Sequence, residues 1–337
     1  MPRPFLAAAV VVGGAVLAGI AGLALLWWDL ERYAARALPT PGQVFELPPG
    51  HTLAQAAADL AAEGVVETPR QLVLLARLRG VGDALKAAEY QIPPHPTPDA
   101  LLALLQSGRP VEYRFTIVEG WTLAELRAAL AAEPRLVQRT ADLSEAQLMR
   151  ALGSDLDSGE GWFLPETYRF PRGSSDLALL RRAHRAMQDT LATLWAGRAG
   201  GLPLTSPKDA LILASIVEKE TGRRSEQGQV AGVFVNRLHR GMRLQTDPTI
   251  IYGLGKAFDG NLTRAHLRAD GPYNTYTRHG LPPTPIALPG RQAIEAVMHP
   301  EPTEALYFVA KGDGTHAFSR SLAEHNRAVA RYQLGRP

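Results

Sequence analysis

The chain predicts an α+β fold: a helix-rich larger domain, a small α+β module before it and a single apolar helix ahead of both. Three observations carry this. The stretch Phe5 to Trp28 contains no charged residue. A short strand–turn–helix pattern occurs twice, first around Phe45 and again around Phe115. Beyond it, long runs of 3.6-residue periodicity lead into one alternating, hairpin-like segment.

Composition narrows the classes of function. The 337 residues leave room for two or three domains. At 46% hydrophobic and 20% charged they have the make-up of an ordinary folded protein. Net charge is only +3, and no basic run interleaves with aromatics, so nothing points to nucleic acid. The absence of cysteine excludes disulfides, thiolate metal sites and a cysteine nucleophile. Nine histidines are scattered without an H-E-x-x-H pair, so no metal is indicated. Gly253-Leu254-Gly255-Lys256 has the wrong spacing for a phosphate loop, and Ala257 stands where Ser or Thr is required. No cofactor is expected, and no G-x-S-x-G elbow suggests a serine hydrolase.

The apolar stretch comes first. At ~1.5 Å rise per residue, residues 5–28 can cross a ~30 Å hydrocarbon core. Trp27 and Trp28 close it where indoles favour the interface. A cleaved signal peptide is the rival, with Ala35-Arg36-Ala37 as a faint cleavage site, but the stretch exceeds the usual h-region. A slight positive-inside bias places residues 1–4 in the cytoplasm and the rest outside.

Residues 29–42, around Pro39-Thr40-Pro41-Gly42, read as a linker. Phe45 to Ala54 then leads into a helix over Gln55 to Ala62, and Phe115 to Ala124 leads into one over Glu125 to Ala132. Each has a Gly turn and a Thr N-cap, so this is an internal duplication. A helix over Pro69 to Leu78 and the Pro-rich segment 93–98 complete a module spanning 43–112. The larger domain spans 113–337. It offers helices at Leu177–Leu194, after Ser225 with Val230, Val233, Phe234 and Leu238 on one face, and at Leu322–Tyr332. Leu306–Ala310 and Thr315–Phe318 read as a hairpin about Lys311–Gly314.

Ala214-Ser215-Ile216-Val217-Glu218-Lys219-Glu220-Thr221 ends a further helix. Ser206-Pro207-Lys208-Asp209 reads as its start and Gly222 as its stop. Glu218 shares a face with Leu211, Ala214 and Ser215, while Lys219 and Glu220 point elsewhere. A carboxyl among apolar groups has its pKa raised and stays protonated near neutral pH, as a general acid requires. Polar clusters follow at Asn236-Arg237, Gln245-Thr246-Asp247-Pro248 and Tyr273-Asn274-Thr275-Tyr276. Short amides, hydroxyls and aromatic rings suit a sugar polymer. The candidate binding residues are Glu166, Asn236, Gln245, Thr246, Asp247, Tyr252, Asn274, Thr275 and Tyr276.

These segments, with Gly280-Leu281-Pro282-Pro283, Glu160 to Tyr168 and the closing His325-Asn326, resemble the endolytic murein transglycosylases, the YceG-like or MltG family. The resemblance covers nearly the whole chain. It implies an inner-membrane anchor, a LysM-like module at 43–112 and a YceG-like catalytic domain at 113–337. It implies endolytic cleavage of the MurNAc–GlcNAc β-1,4 bond of peptidoglycan strands, leaving 1,6-anhydro-MurNAc ends and ending strand elongation, with the Glu218 position as acid/base. It further implies peptidoglycan strands as substrate, the inner membrane as location and peptidoglycan synthases as neighbours. From the residues alone two alternatives stay open. One is a two-carboxylate muramidase drawing its second carboxylate from Glu166, Glu220 or Asp247. The other is a non-catalytic glycan-binding scaffold of the envelope.

Overall fold

The computed structural model describes residues 4–81 and 85–335, so the expected tail at 1–3 lies outside the described residues. Two compact units divide the chain, Met1–Tyr113 and Arg114–Pro337.

The first unit opens with α1 (Pro4–Ala35), the one described helix long and apolar enough to cross a membrane. Its large apolar side chains from Val12 to Trp28 are exposed. Strand β1 (Gln43–Leu47), helices α2 (Leu53–Ala62) and α3 (Pro69–Leu78), strand β2 (Ala88–Ile92) and helix α4 (Pro98–Ser107) follow. β1 pairs antiparallel with β2, Phe45 opposite Tyr90, and both rings are fully buried among Leu60, Leu72, Leu101 and Leu105. Leu30, Ala34 and Leu38 join that core. Leu30 and Ala34, four residues apart, share one face of α1, and Leu38 follows just beyond its end. Gln71 donates to Asp29 (3.2 Å), and Arg79 bonds Glu31 and Asp99 (3.1 Å each). The stretch expected as a linker is therefore fastened into this unit.

In the second unit β3 (Glu112–Thr116) pairs with β4 (Thr167–Pro171). Between them lie α5 (Leu123–Ala131) and α6 (Glu145–Ala151). The duplication is visible in the caps: Thr52 boxes with Gln55 before α2, and Thr122 with Glu125 before α5. Gly50 and Gly120 both take positive φ, 81° and 79°, in the preceding turns. Then come α7 (Asp176–Ala196), α8 (Pro207–Glu220), α9 (Gln227–His239), α10 (Asp247–Leu254), α11 (Arg264–Arg268) and α12 (Arg291–Met298). The chain closes with the antiparallel hairpin β5 (Tyr307–Ala310) and β6 (His316–Ser319), covered by α13 (Leu322–Tyr332).

α8 is the centre of this unit. Ala210 to Val217 are all buried, enclosed by α7, α9, α10 and α12. Two sequence expectations change here. α8 stops at Glu220 because Thr221 turns extended (φ −140°), and Gly222 makes no left-handed cap. Ser225 lies in a 3-10 turn, and α9 starts at Gln227 with no side-chain cap.

Candidate active site

The N-terminus of α8 is set by reciprocal bonds between Ser206 and Asp209, with Pro207 in the first turn. Its body is buried on every side, so its sequence has no single apolar stripe. Sharing a face with Leu211 and Ala214 thus does not distinguish Glu218, because Ile212, Leu213 and Ile216 line the other faces. What matters is where each carboxylate leaves the last turn.

Glu218 leaves toward the start of α12, where its Oε2 accepts the Gly290 N–H (3.0 Å). Lys219 beside it donates to the Gly120 carbonyl (3.2 Å), and Arg224 pairs with Glu119 (3.0 Å). Burial pushes the Glu218 carboxyl up, the Gly290 bond opposes this, and the nearby Glu119 charge adds to the rise. This carboxylate sits at the N-terminus of a helix.

Glu220 leaves toward an open cleft of about 630 Å³. Arg237, Gln245, Asp247, Tyr276, Tyr307, His316, His325 and Asn326 share its lining. Burial is the main cause raising the Glu220 carboxyl above the ordinary value. The Thr246 hydroxyl, which donates to its Oε1, pulls the other way; Asp247 raises it further, and His316 and Arg237 lower it. Its seat on the negative end of α8 also disfavours ionisation. The arrangement favours the protonated form of Glu220 and surrounds it with groups able to bind hydroxyls.

The expected binding residues separate into two sets. Gln245, Thr246, Asp247 and Tyr276 gather around Glu220. Tyr276 donates to Asp247 (2.7 Å), and burial pushes its own hydroxyl well up. Gln245 sits in the left-handed region (φ 50°), held by its N–H to the Thr275 carbonyl (3.1 Å). A non-glycine residue seldom adopts that conformation, and such strain collects at functional sites.

The rest do not line the cleft. Asn236 spends its amide on the Thr303 and Ala305 carbonyls (2.7 and 3.1 Å). Asn274 bonds the His266, Leu267 and Ala269 carbonyls and accepts from Tyr276 N–H. Thr275 is buried below, bonded to Thr246 N–H and Thr249. Tyr252 donates to Glu160 (3.2 Å) and packs edge-on to Tyr273. Glu166 is exposed next to β4, away from the cleft. Short polar side chains read equally well as loop braces and as ligand contacts, and here backbone carbonyls claim both asparagine amides.

Sequence reasoning named Glu220 only as a candidate second carboxylate and Arg237 only within a polar cluster, and it read Tyr307 and His316 as hairpin residues without a place in the site. Arg237 donates to the Leu306 and Leu244 carbonyls (2.6 Å each) and lies 5.1 Å from the Tyr307 ring centre. Tyr307 in turn stacks on His325 (5.2 Å). Only the hairpin brings these together, and no local motif announces it. Among the described residues no group of three His, Asp or Glu side chains is arranged to hold a metal ion.

A helix-rich α+β unit with a carboxyl raised above its ordinary value at an open, polar cleft is thus the class of protein that fold and site define. The YceG-like family model matches residues 45–331, and the chain belongs to that family. It is 29% identical over 303 residues to the endolytic murein transglycosylase of Bacillus subtilis, covering 85% of this chain and 83% of that protein. To the endolytic murein transglycosylase of Streptococcus pneumoniae it is 30% identical over 321 residues, spanning 57% of that longer protein. The crystal structure of a yceG-like protein from Listeria monocytogenes superposes with a TM-score of 0.54 at 29% identity, covering 85% of this chain and 98% of that one.

Proposed function

We propose that the chain is an endolytic murein transglycosylase whose acid/base is Glu220. The observation that carries this is the half-buried Glu220 in a polar cleft, its carboxyl raised above the ordinary value, together with the relatives named for that activity. The reaction needs one group that first gives and then regains a proton. Glu220 gives its proton to the glycosidic oxygen as the bond to the MurNAc C1 breaks, leaving a carboxylate near the oxocarbenium-like carbon. The MurNAc 6-hydroxyl then attacks C1, its proton returns to Glu220, and a 1,6-anhydro end forms without water. Arg237 and the Thr246 hydroxyl favour the transient carboxylate. Glu218, the sequence expectation for this role, is assigned the bracing of α12.

A second reading, a two-carboxylate muramidase, rests on Asp247, the other carboxylate lining the cleft. The Tyr276 hydroxyl already engages it. Product analysis separates the two: anhydro ends support the transglycosylase, and reducing ends support the hydrolase.

The rest of the assignment follows from this reading. Residues 5–28 are proposed as a retained inner-membrane anchor with the N-terminus cytoplasmic, supported by the long exposed apolar face of α1. Residues 43–112 are proposed as a LysM-like module that holds glycan without doing chemistry, and 113–337 as the catalytic domain. Cleavage next to peptidoglycan synthases would end nascent strands. Deleting the module should weaken strand binding while cleavage by the larger domain persists; a folded larger domain that is wholly inert on soluble strands would refute the division.

A further inference from the structure

The β5–β6 hairpin carries an imidazole, paired with a carboxylate from the turn before α9, that the scheme above leaves idle. His316, the first residue of β6, lines the cleft with Glu220. Its Nδ1 lies 2.7 Å from Glu226 Oε2, and its main-chain N–H donates to Oε1 of the same carboxylate (3.2 Å). The two side chains are only 12% and 15% exposed. Phe308 meets the imidazole edge-on at 5.5 Å. Arg223, three residues before Glu226, donates to the Asp313 and Gly314 carbonyls at the hairpin tip (3.2 and 3.1 Å). The connection between α8 and α9 therefore grips both the hairpin and the ring.

A carboxylate on Nδ1 fixes the ring's orientation and selects the tautomer with the proton on that nitrogen, leaving Nε2 as an acceptor. The groups around it are Glu226 from the turn before α9, Glu220 from α8, Arg237 from α9, Asp247 from α10 and His325 from α13.

We infer that His316, oriented by Glu226, is a second proton-handling residue of the cleft, through which the proton of the attacking hydroxyl returns to Glu220. This rests on the proposed cleft chemistry and deepens it. As the O6–C1 bond forms, the O6–H bond breaks and its proton passes to Nε2, giving an imidazolium paired with Glu226. The imidazolium then passes that proton to the Glu220 carboxylate. Neutral imidazole and carboxylic acid are both restored, with no other reactant consumed.

The test uses the full-length protein in detergent with purified sacculi. His316→Gln keeps a polar group but accepts no proton, and should lower kcat by about 10²-fold with little change in KM. Glu226→Gln should fall in the same direction, and the double variant should be scarcely worse than His316→Gln alone. Added imidazole should restore turnover to His316→Gly in a dose-dependent way and leave Glu220→Gln inert. Wild-type turnover by His316→Gln overturns the inference, as does a folded His316→Gly that imidazole does not rescue. If His316→Gly does not fold, His316→Gln alone decides. Should Glu220→Gln remain active, the reading of the cleft itself fails; an inert Glu220→Gln beside a wild-type His316→Gln defeats only the relay.

Discussion

Glu218 and Glu220 leave the same helical turn about 200° apart around the axis, since each residue advances about 100°. One accepts the Gly290 N–H just before α12, and the other accepts the Thr246 hydroxyl and feels the charges of Arg237 and His316. Glu220→Gln should therefore lose at least ~10²–10⁴-fold in kcat, the range typical of general acid–base catalysis, while the fold persists. Glu218→Gln can still accept the Gly290 N–H and should keep most turnover, at a stability cost near ~1 kcal/mol. The pH profile follows from the raised Glu220 carboxyl. The first step needs it protonated, so kcat/KM should fall as pH rises through a value well above the ordinary carboxylate range. Asp247 helps hold that value up, so Asp247→Asn should move the basic limb to lower pH and still give anhydro ends. An Asp247→Asn variant as inert as Glu220→Gln would point to two-carboxylate chemistry.

At the scale of elements, the hairpin that completes the cleft is positioned by one side of α9. Gly228, Gly232 and Asn236 recur every four residues and face the segment 301–305. The Glu301 N–H donates to the Gly228 carbonyl (3.0 Å), and Asn236 bonds the Thr303 and Ala305 carbonyls. A Cβ on Gly232 would come within 2.6 Å of the Glu301 carbonyl oxygen. Gly232→Ala should thus destabilise by ~1–3 kcal/mol, the cost of overpacking, and lower the melting temperature accordingly. An unchanged melting curve would show that the segment shifts freely. This contact shows what the sequence could and could not reveal. Helices with strong periodicity or clear caps, such as Pro69–Leu78 and Leu322–Tyr332, were legible to the residue, and the hairpin about Lys311–Gly314 was legible with strand ends one residue off. Short elements held by tertiary contacts, including β2, α4, α10 and α12, carried no comparable local signal. The α8 C-terminus was legible as a site, yet the choice between its two glutamates depends on partners 17 to 96 residues further along, from Arg237 to His316. Asn236 and Asn274 illustrate the converse, side chains of ligand-binding type that the fold uses to tie carbonyls together.

For the molecule as a whole, stability should carry a pH signature from Glu160. Burial is the largest cause pushing its carboxyl up to about 7, against bonds from the Leu123 N–H and the Tyr252 hydroxyl. The folded state thus holds a proton that the unfolded state, with a value near 4.5, releases first. Stability from this group is fully present below about 4.5 and lost as pH rises toward about 7, a change on the order of ~3 kcal/mol at 1.36 kcal/mol per unit. Glu160→Gln should flatten denaturant-derived stability over that window, and an unchanged slope would show that Glu160 is not its source. In the unit that carries α1, Leu30 and Ala34 are buried and Asp29 and Glu31 are hydrogen-bonded, so the end of the apolar helix is stiffly joined to the module behind it. Replacing Leu30 and Ala34 with serine should loosen that joint and expose the 29–42 stretch to protease, whereas unchanged resistance would contradict the packing. The central claim is that a single carboxyl, Glu220, serves both halves of a water-free cleavage. The most direct measurement is mass analysis of the muropeptides released from purified sacculi by the wild type, Glu218→Gln and Glu220→Gln. The account predicts 1,6-anhydro ends from the first two and no product from the third. Reducing ends from the wild type, or anhydro ends from Glu220→Gln beside an inert Glu218→Gln, would contradict it.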